Sequence, residues 1–171
     1  MATHDDVEYF RGTVRAPFGT LTVVVSDNGV RYCTFDNDAH PKSFEGMTVV
    51  DNGSHPILGA ALQQLAEYLE GSRTTFNVPL DLRGTEFQVA AWKALADIPY
   101  GHTASYAQQA LSIGRPRATR AIGAANGRNP VAVILPCHRI IGANGALTGF
   151  GGGLPVKKWL LEHEERVAAS H

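Results

Sequence analysis

The residues with the clearest chemical potential are Cys137 and His138, which follow a proline and precede Arg139. A cysteine becomes nucleophilic when a nearby base or cation favours its thiolate. Histidine can supply the base, because its pKa is close to neutral. The alternative is a buried structural cysteine, the usual role of a lone intracellular cysteine. Each residue of the Pro-Cys-His-Arg run has a chemical use, and this favours a nucleophilic site.

Geometry limits how the thiol and the imidazole can cooperate. We expect residues 129–141 to form a buried strand entering a sharp turn, and successive side chains of a strand point to opposite faces. A water molecule is therefore the natural link between Cys137 and His138. Glu164 lies in line with apolar residues on the last predicted helix (155–167), where a carboxylate is costly unless paired. The pattern predicts a relay of Glu164, His138, water and Cys137, the alternative for Glu164 being a half-exposed helix carboxylate.

The second cysteine, Cys33, lies in a β-rich segment and is interpreted as structural. The two cysteines are too far apart to give zinc-ligand spacing and too few for a disulfide framework. We therefore predict no metal site.

Composition restricts the class of protein. The chain has 171 residues, a net charge of −1 and 44% apolar residues, which excludes an intrinsically disordered protein. No apolar run approaches the ~18 residues of a membrane span, and the acidic, polar N-terminus does not resemble a signal peptide. We expect an intracellular protein, cytoplasmic or, in a eukaryote, nuclear, with no membrane partner.

Charge is unevenly distributed. The segment from Arg115 to Arg139 contains five arginines and no acidic residue. This pattern indicates an anion-binding surface, with nucleic acid as a candidate. A solvated charged face is the alternative.

The first part of the chain predicts a small α/β domain over residues 1–80. An Asn-Gly pair between two Val- and Thr-rich runs indicates a hairpin. The predicted elements are strands at 9–15, 20–26, 30–36 and 75–80, a loop at 40–54 and a helix at 56–70.

The remainder is mainly helical. Thr85 and Gln88 form a capping box for one helix, Thr103 is expected to cap a second, and Pro116 to begin a third that runs to Asn126. The last two form a helix-turn-helix pattern. The exposed face of the third combines small alanines with arginines, which suits close approach to a narrow groove. A helix packed tightly on a neighbour is the alternative.

The run Pro136-Cys137-His138-Arg139-Ile140 strongly resembles the active-site motif of the O6-alkylguanine-DNA alkyltransferases, or methylated-DNA–protein-cysteine methyltransferases. The resemblance implies an N-terminal α/β domain with a ribonuclease-H-like sheet (1–80) and a mainly helical, winged-helix-like domain with a helix-turn-helix (84–168). Further matches occur in the family's order at Gly84-Thr-Glu-Phe-Gln, Trp92-Lys, Ile98-Pro-Tyr-Gly, Ser105-Tyr, Arg120-Ala-Ile-Gly-Ala-Ala-Asn, Asn129-Pro, Gly152-Gly-Leu and Lys158-Trp-Leu-Leu-Glu-His-Glu.

The resemblance also implies catalytic roles. Cys137 would accept the alkyl group, while His138 and Glu164 activate it through water. Asn129 would hydrogen-bond at the hinge between the recognition helix and the active-site segment. The Tyr106 hydroxyl would donate to the departing guanine.

Substrate contacts follow from the same resemblance. Arg120 would enter the minor groove and hold the gap left by a flipped nucleotide. The DNA-binding residues implied are Arg117, Ala118, Arg120, Ala121 and Tyr106. The residues implied to bind the base are Ile140, Phe150, Gly151 and Gly152, the first through its backbone.

The sequence departs from several relatives at Phe150, where they have tyrosine. Phe150 can stack on a base but offers no phenol hydrogen bond. The surrounding Gly-rich loop predicts tolerance of alkyl groups larger than methyl, including O6-benzylguanine. Zinc ligands found in some relatives are not recognisable here.

The predicted function is single-turnover repair of O6-alkylguanine in double-stranded DNA, with O4-alkylthymine as a second candidate substrate. We expect a monomer that needs no cofactor. A lesion-binding alkyltransferase-like protein, a Cys-His hydrolase and a helix-turn-helix regulator are the alternatives. Cys137 argues against the first, and the basic helix is unexplained by the second. The third would be expected to show base-reading side chains and a dimer interface, neither of which is evident.

Overall fold

A computed structural model describes residues 7–38, 41–51 and 54–170 of the chain. Residues 1–6 of the acidic, polar N-terminus lie outside the described residues. Positions 40, 52 and 53 of the predicted 40–54 loop also lie outside them. None of the helices described is long and apolar enough to cross a membrane.

The N-terminal domain is a four-stranded sheet covered by one helix. The strands are β1 (Glu8–Ala16), β2 (Gly19–Ser26), β3 (Gly29–Phe35) and β4 (Thr48–Asp51), followed by α1 (Pro56–Glu70). The spatial order is β3-β2-β1-β4, with β1 antiparallel to β2, β2 antiparallel to β3, and β4 parallel to β1. Helix α1 crosses the sheet closely at Gly12, whose missing side chain leaves room for Leu58 and Leu62.

Two predictions in this domain were wrong. Strand β4 lies inside the predicted loop, because a four-residue edge strand is specified by its distant partner β1 rather than by local sequence. Residues 75–80 form no strand, and only Leu80 makes an isolated bridge, to Val30. The side chain of Gln64 instead binds both the amide and the side chain of Asn77, which fixes this segment as an irregular connection.

The C-terminal domain contains four helices and a two-stranded parallel ribbon. The helices are α2 (Glu86–Leu95), α3 (Tyr106–Ser112), α4 (Thr119–Gly127) and α5 (Leu154–Ala169), and the ribbon pairs β5 (Ala104–Ser105) with β6 (Ile140–Ile141). The predicted capping box of Thr85 and Gln88 is confirmed. Helices α3 and α4 pack through a small cluster that includes Ala110 and Ile122.

The starts of α3 and α4 differ from prediction. Ser105, not Thr103, caps α3 through a capping box with Gln108, because the residues before it are extended and pair with β6. Pro116 lies in a turn, and α4 begins at Thr119 without a side-chain cap.

The two domains share one hydrophobic core. Valines of β2 and β3, leucines of α1, Trp92 and Leu95 of α2, and Leu160 of α5 belong to the same buried cluster. Cys137 is part of it, so the predicted nucleophile lies where the two domains meet.

Candidate active site

The segment leading to Cys137 is buried as predicted, but it is not a strand. Main-chain hydrogen bonds join Cys33 of β3 to Pro130 and Ala132, so residues 130–132 dock on the edge of the N-terminal sheet. The chain then turns sharply at Val133, which has a φ of 70°. Residues Cys137–Arg139 form one 3₁₀ turn. The prediction that the side chains of Cys137 and His138 point to opposite faces assumed an extended strand and was wrong, because these residues lie in a 3₁₀ turn.

Asn129, at the start of the segment that leads to Cys137, holds the turn in place through its side chain. Its amide nitrogen donates to the carbonyl of Leu135 at 2.9 Å, and its amide oxygen accepts from the backbone of Val131 at 3.0 Å. Both bonds are buried. The side chain also faces the Cys137 thiol, where hydrogen bonding lowers the pKa of the cysteine. Asn129 thus sets the turn geometry and contacts the sulfur.

The structure brings Glu164 and His138 together. Glu164 Oε2 lies 2.6 Å from His138 Nε2, and both side chains are almost fully buried. Arg139 binds the same carboxylate through Nε at 2.8 Å and through its terminal nitrogen at 3.1 Å. A further nitrogen of Arg139 donates to the carbonyl of Ile98. The carboxylate is therefore paired, as a buried charge must be.

Two further groups complete the surroundings of this carboxylate. The amide of Gly101 donates to Oε1 at 3.2 Å, and the hydroxyl of Tyr68 donates to Oε2 at 2.6 Å. The contacts of Glu164 with Arg139 and Tyr68 were not predicted from the sequence. The contact of Arg139 could have been predicted, because Arg139 is adjacent to His138 in the sequence. No local signal exists for Tyr68, which comes from α1 of the other domain.

The electrostatics assign the histidine tautomer. Burial alone would raise the pKa of Glu164, but hydrogen bonds and charges from His138 and Arg139 hold it far below the usual range. Glu164 is thus an anion and accepts hydrogen bonds, so His138 Nε2 carries the proton. Burial lowers the pKa of His138 despite the contact with Glu164. Its Nδ1 has no hydrogen-bond partner among the described residues and is free to accept a proton.

Cys137 is a thiol in its resting state. Burial raises its pKa, and the hydrogen bond from Asn129 and the charge of Lys157 oppose this effect. The other cysteine, Cys33, is fully buried, and burial raises its pKa to about 12. A base is therefore required to make either thiolate. Cys137 has a histidine beside it in sequence and lines a cavity, whereas Cys33 is fully buried.

A cavity of about 470 Å³ opens onto Cys137. The thiol shares its lining with Phe150 and Gly151, two of the four residues assigned to the base, and with Tyr106, the predicted donor to the leaving guanine. Its other wall is the C-terminal half of α4, through Gly123, Asn126 and Gly127, and the remaining lining residue is Gly149. The volume falls within the range typical of small-molecule sites.

The other two residues assigned to the base, Gly152 and Ile140, do not line this cavity. Gly152 lies against Phe35 of β3, which a Cβ atom at this position would meet at 2.7 Å. The side chain of Ile140 is buried in the core, and its carbonyl accepts a hydrogen bond from Lys157. The Gly-rich loop is consequently less open than expected, since Phe150 also packs edge-on against Phe35.

Helix α4 presents a small, basic surface beside the cavity. Arg117, Arg120 and Ala121 are exposed and Ala118 is half-buried, while Ile122 is fully buried. Ala118 lies just before the helix as its N-cap residue, and Arg117 lies in the preceding turn.

The inner side of α4 is held firmly. Trp92 donates to the carbonyl of Ala125 at 2.7 Å, and Gln109 and Asn126 exchange two side-chain hydrogen bonds. The basic residues are thus carried by a rigid element.

Within residues 7–38, 41–51 and 54–170, no group of three or more His, Cys, Asp or Glu side chains is arranged to hold a metal ion.

Comparison with known proteins agrees with this geometry. Two family models match the chain, the 6-O-methylguanine DNA methyltransferase ribonuclease-like domain over residues 9–82 and the DNA binding domain of the same family over residues 86–166. The chain is 52% identical over 152 residues to the methylated-DNA–protein-cysteine methyltransferase of Methanosarcina barkeri, covering 89% of this chain and 94% of that one. The corresponding protein of Mycolicibacterium paratuberculosis is 45% identical over 155 residues, covering 90% and 91%.

A solved structure supports the same assignment. The crystal structure of Mycobacterium tuberculosis OGT in complex with DNA superposes with a TM-score of 0.85 at 43% identity, covering 94% of each chain. Sequence and structure therefore agree over nearly the whole chain. It belongs to the methylated-DNA–protein-cysteine methyltransferases, the DNA-repair proteins that move an alkyl group from DNA onto one of their own cysteines.

Proposed function

We propose that Cys137 is the acceptor and that it takes the alkyl group from O6-alkylguanine in duplex DNA, once per molecule. O4-alkylthymine is a second candidate substrate. One observation carries the proposal: Cys137 lines a cavity beside basic helix α4, and the next residue in the chain, His138, is bound by the buried carboxylate of Glu164.

The proton on sulfur leaves first. His138 Nδ1 accepts it through a water molecule, and the resulting imidazolium is stabilised by the Glu164 carboxylate at Nε2. The thiolate then attacks the alkyl carbon. A carbon–sulfur bond forms as the carbon–oxygen bond breaks, and the guanine leaves with the electron pair.

The leaving guanine needs a hydrogen-bond donor for its developing charge. We assign this role to Tyr106, which lines the cavity and whose hydroxyl lies 2.5 Å from the hydroxyl of Thr148. Donation to guanine requires that hydroxyl to exchange partners on substrate binding. The product thioether is stable to water, so Cys137 acts once. The sulfur supplies the electron pair itself, and no cofactor takes part in this step.

The alkylated base must leave the duplex, since the reacting carbon is inaccessible in a stacked helix. We assign Arg120 to the gap that the base leaves, and Arg117, Ala118 and Ala121 to contacts with the minor groove. The solved structure of M. tuberculosis OGT in complex with DNA supports DNA as the partner. A face of small residues favours close approach over sequence reading.

The flipped base would then enter the cavity. Phe150 would stack on it, the amide of Gly151 would face the alkylated oxygen, and Gly152 would fix the loop against the N-terminal sheet. The backbone carbonyl of Ile140 would read the guanine edge. This carbonyl already accepts from Lys157, but a carbonyl oxygen has two lone pairs and can accept a second bond.

We place DNA binding and alkyl transfer in residues 84–168, carried by a monomer, and assign residues 1–80 to support of the site. The test is mass spectrometry after incubation with a duplex containing O6-methylguanine. We expect one addition of about 14 Da, the exchange of hydrogen for methyl at a nucleophile, on the Cys137 peptide.

Two matched variants complete the experiment. Cys137→Ser should lose the addition, and Cys33→Ser should retain it. Label on any other residue, or repeated turnover by Cys137, would contradict the proposal.

A further inference from the structure

Resting on the proposed function, we infer that Tyr68 of the N-terminal domain is a positioning residue for alkyl transfer, through its hydrogen bond to the carboxylate that binds His138. The contact joins α1 to α5 across the domain boundary, with Tyr68 Oη 2.6 Å from Glu164 Oε2. The same oxygen lies 2.6 Å from His138 Nε2.

The direction of the bond is fixed. Tyr68 is completely buried, and burial together with the negative charge of Glu164 raises its pKa well above the usual value. Tyr68 therefore stays protonated and donates, while Glu164 accepts. Among the described residues, Glu164 is the one hydrogen-bond partner found for this hydroxyl.

Tyr68 is itself held in place on both sides. His163 of α5 lies 2.7 Å from the Tyr68 carbonyl and packs edge-on against its ring. Phe76 and Tyr100 contact the ring as well. The donor thus has a defined position relative to Glu164, as a positioning role requires.

The bond adjusts how strongly Glu164 attracts a proton onto His138. A donor on Oε2 stabilises the carboxylate most when the neighbouring imidazole is neutral, because the charge is then uncompensated. Removing the donor should therefore favour imidazolium and raise the pKa of His138. The titratable and charged groups that act on Glu164 and His138 are Tyr68 of α1, Tyr100, Arg139 of the 3₁₀ turn, and Lys157 of α5.

The prediction is a change in the pH profile of alkyl transfer. Only neutral His138 can take the thiol proton, so the rate falls on the acid side as His138 becomes charged. In Tyr68→Phe this acid limb should move upward by about half to one pH unit, the effect of one typical net hydrogen bond. On the limb itself, the rate should fall by about threefold to tenfold.

A matched control separates positioning from stability. Leu58→Ala, also on α1, creates a cavity against the sheet without touching Glu164, and should leave the acid limb where it is in the unsubstituted protein. A second substitution at position 68 should shift the acid limb in the opposite direction. Site-specific 3-fluorotyrosine at position 68 keeps the ring but donates more strongly, so the acid limb should move downward.

The rate is measured with a duplex containing O6-methylguanine, and the pKa of His138 is measured independently from its imidazole NMR signals. An unchanged limb in both Tyr68 substitutions overturns the inference. A uniform loss of rate with no shift, as expected for simple destabilisation, also overturns it.

If Tyr68→Phe does not fold, the fluorotyrosine protein decides alone. The proposed function fails separately if Cys137 of the unsubstituted protein is not alkylated. In that case the NMR titration still reports whether Tyr68 changes the pKa of His138.

Discussion

Lys157 Nζ lies 2.5 Å from the main-chain oxygen of Ile140, and both residues are almost fully buried. The ammonium group also contacts the carbonyl of Thr148 at 3.3 Å. One cation from α5 thus ties together the residue after the 3₁₀ turn and the start of the Gly-rich loop. Burial lowers the pKa of Lys157, while the nearby Cys137 raises it.

Replacing this cation should impair catalysis. In Lys157→Met the Ile140 carbonyl loses its donor, and we expect alkyl transfer to slow by about tenfold, the equivalent of one buried hydrogen bond of about 1.4 kcal/mol. The single-turnover rate with O6-methylguanine DNA measures this. Lys158→Met is the control, since Lys158 is exposed and its ammonium group pairs with Glu162 at a distance of 4.0 Å. Equal rates for the two variants would contradict the anchoring role.

Substitution of the buried carboxylate should change stability in a pH-dependent way. Glu164→Gln leaves Arg139 without its anionic partner, and breaking such a pair costs about 3–5 kcal/mol near pH 7. The pKa of Glu164 is depressed in the folded protein, so its contribution is complete above the ordinary value of 4.5 and is lost as the pH falls below it.

The difference in unfolding free energy between unsubstituted protein and Glu164→Gln should therefore narrow below about pH 4.5. Urea unfolding at a series of pH values tests this. Glu162→Gln, two residues earlier and half-exposed, should change stability by less than about 1 kcal/mol at neutral pH. A difference in unfolding free energy between the unsubstituted protein and Glu164→Gln that stays constant with pH would be inconsistent with the depressed pKa of Glu164.

The role assigned to Arg120 is in base extrusion and not in the alkyl-transfer step, so its substitution should affect duplex and free-base substrates differently. Arg120→Ala should slow transfer from a duplex substrate by about tenfold or more, because base extrusion costs a few kcal/mol. The rate with free O6-benzylguanine, which needs no extrusion, should stay within about twofold of the unsubstituted protein. Arg166→Ala, an exposed arginine on α5, serves as the charge control. Equal losses on both substrates would refute the assignment, and no reaction with O6-benzylguanine would refute the predicted tolerance of large alkyl groups.

One glycine substitution should loosen the active-site loop, and the same substitution elsewhere should stabilise the protein. At Gly152 an added methyl group would lie 2.7 Å from the Phe35 ring, and overpacking of this kind costs about 1–3 kcal/mol. At Gly59, on the exposed side of α1, nothing lies within 4 Å, so alanine should add about 0.5–1 kcal/mol. Thermal unfolding distinguishes them, and a stabilised Gly152→Ala would show that the loop does not pack as described.

Much of the architecture followed from local sequence signals. The hairpin strands, helix α1 and the capping box at Thr85 depend on turn residues, apolar periodicity and short-range side-chain bonds. Strand β4 and the irregular 75–80 segment did not, because each is determined by contacts far away in sequence. The start of α3 was misplaced for the same reason, since β5 extends the chain only by pairing with β6.

The active site shows the same division. The apolar neighbours of Glu164 pointed to a paired carboxylate, and the structure places His138 against it. The backbone at Cys137 could not be read in the same way, because a buried apolar run gives no sign of the turn at Val133. The cavity wall formed by α4 and the contact with Tyr68 arise from packing of distant segments, which no motif encodes.

The docking of residues 130–132 on the edge of β3 has a consequence for how the molecule denatures. That pairing is continuous with a core to which both domains contribute, so separating the halves would expose apolar surface and unpair main-chain groups together. Unfolding is therefore expected to be all-or-none, with a single heat-absorption peak, and neither half should persist as a native intermediate.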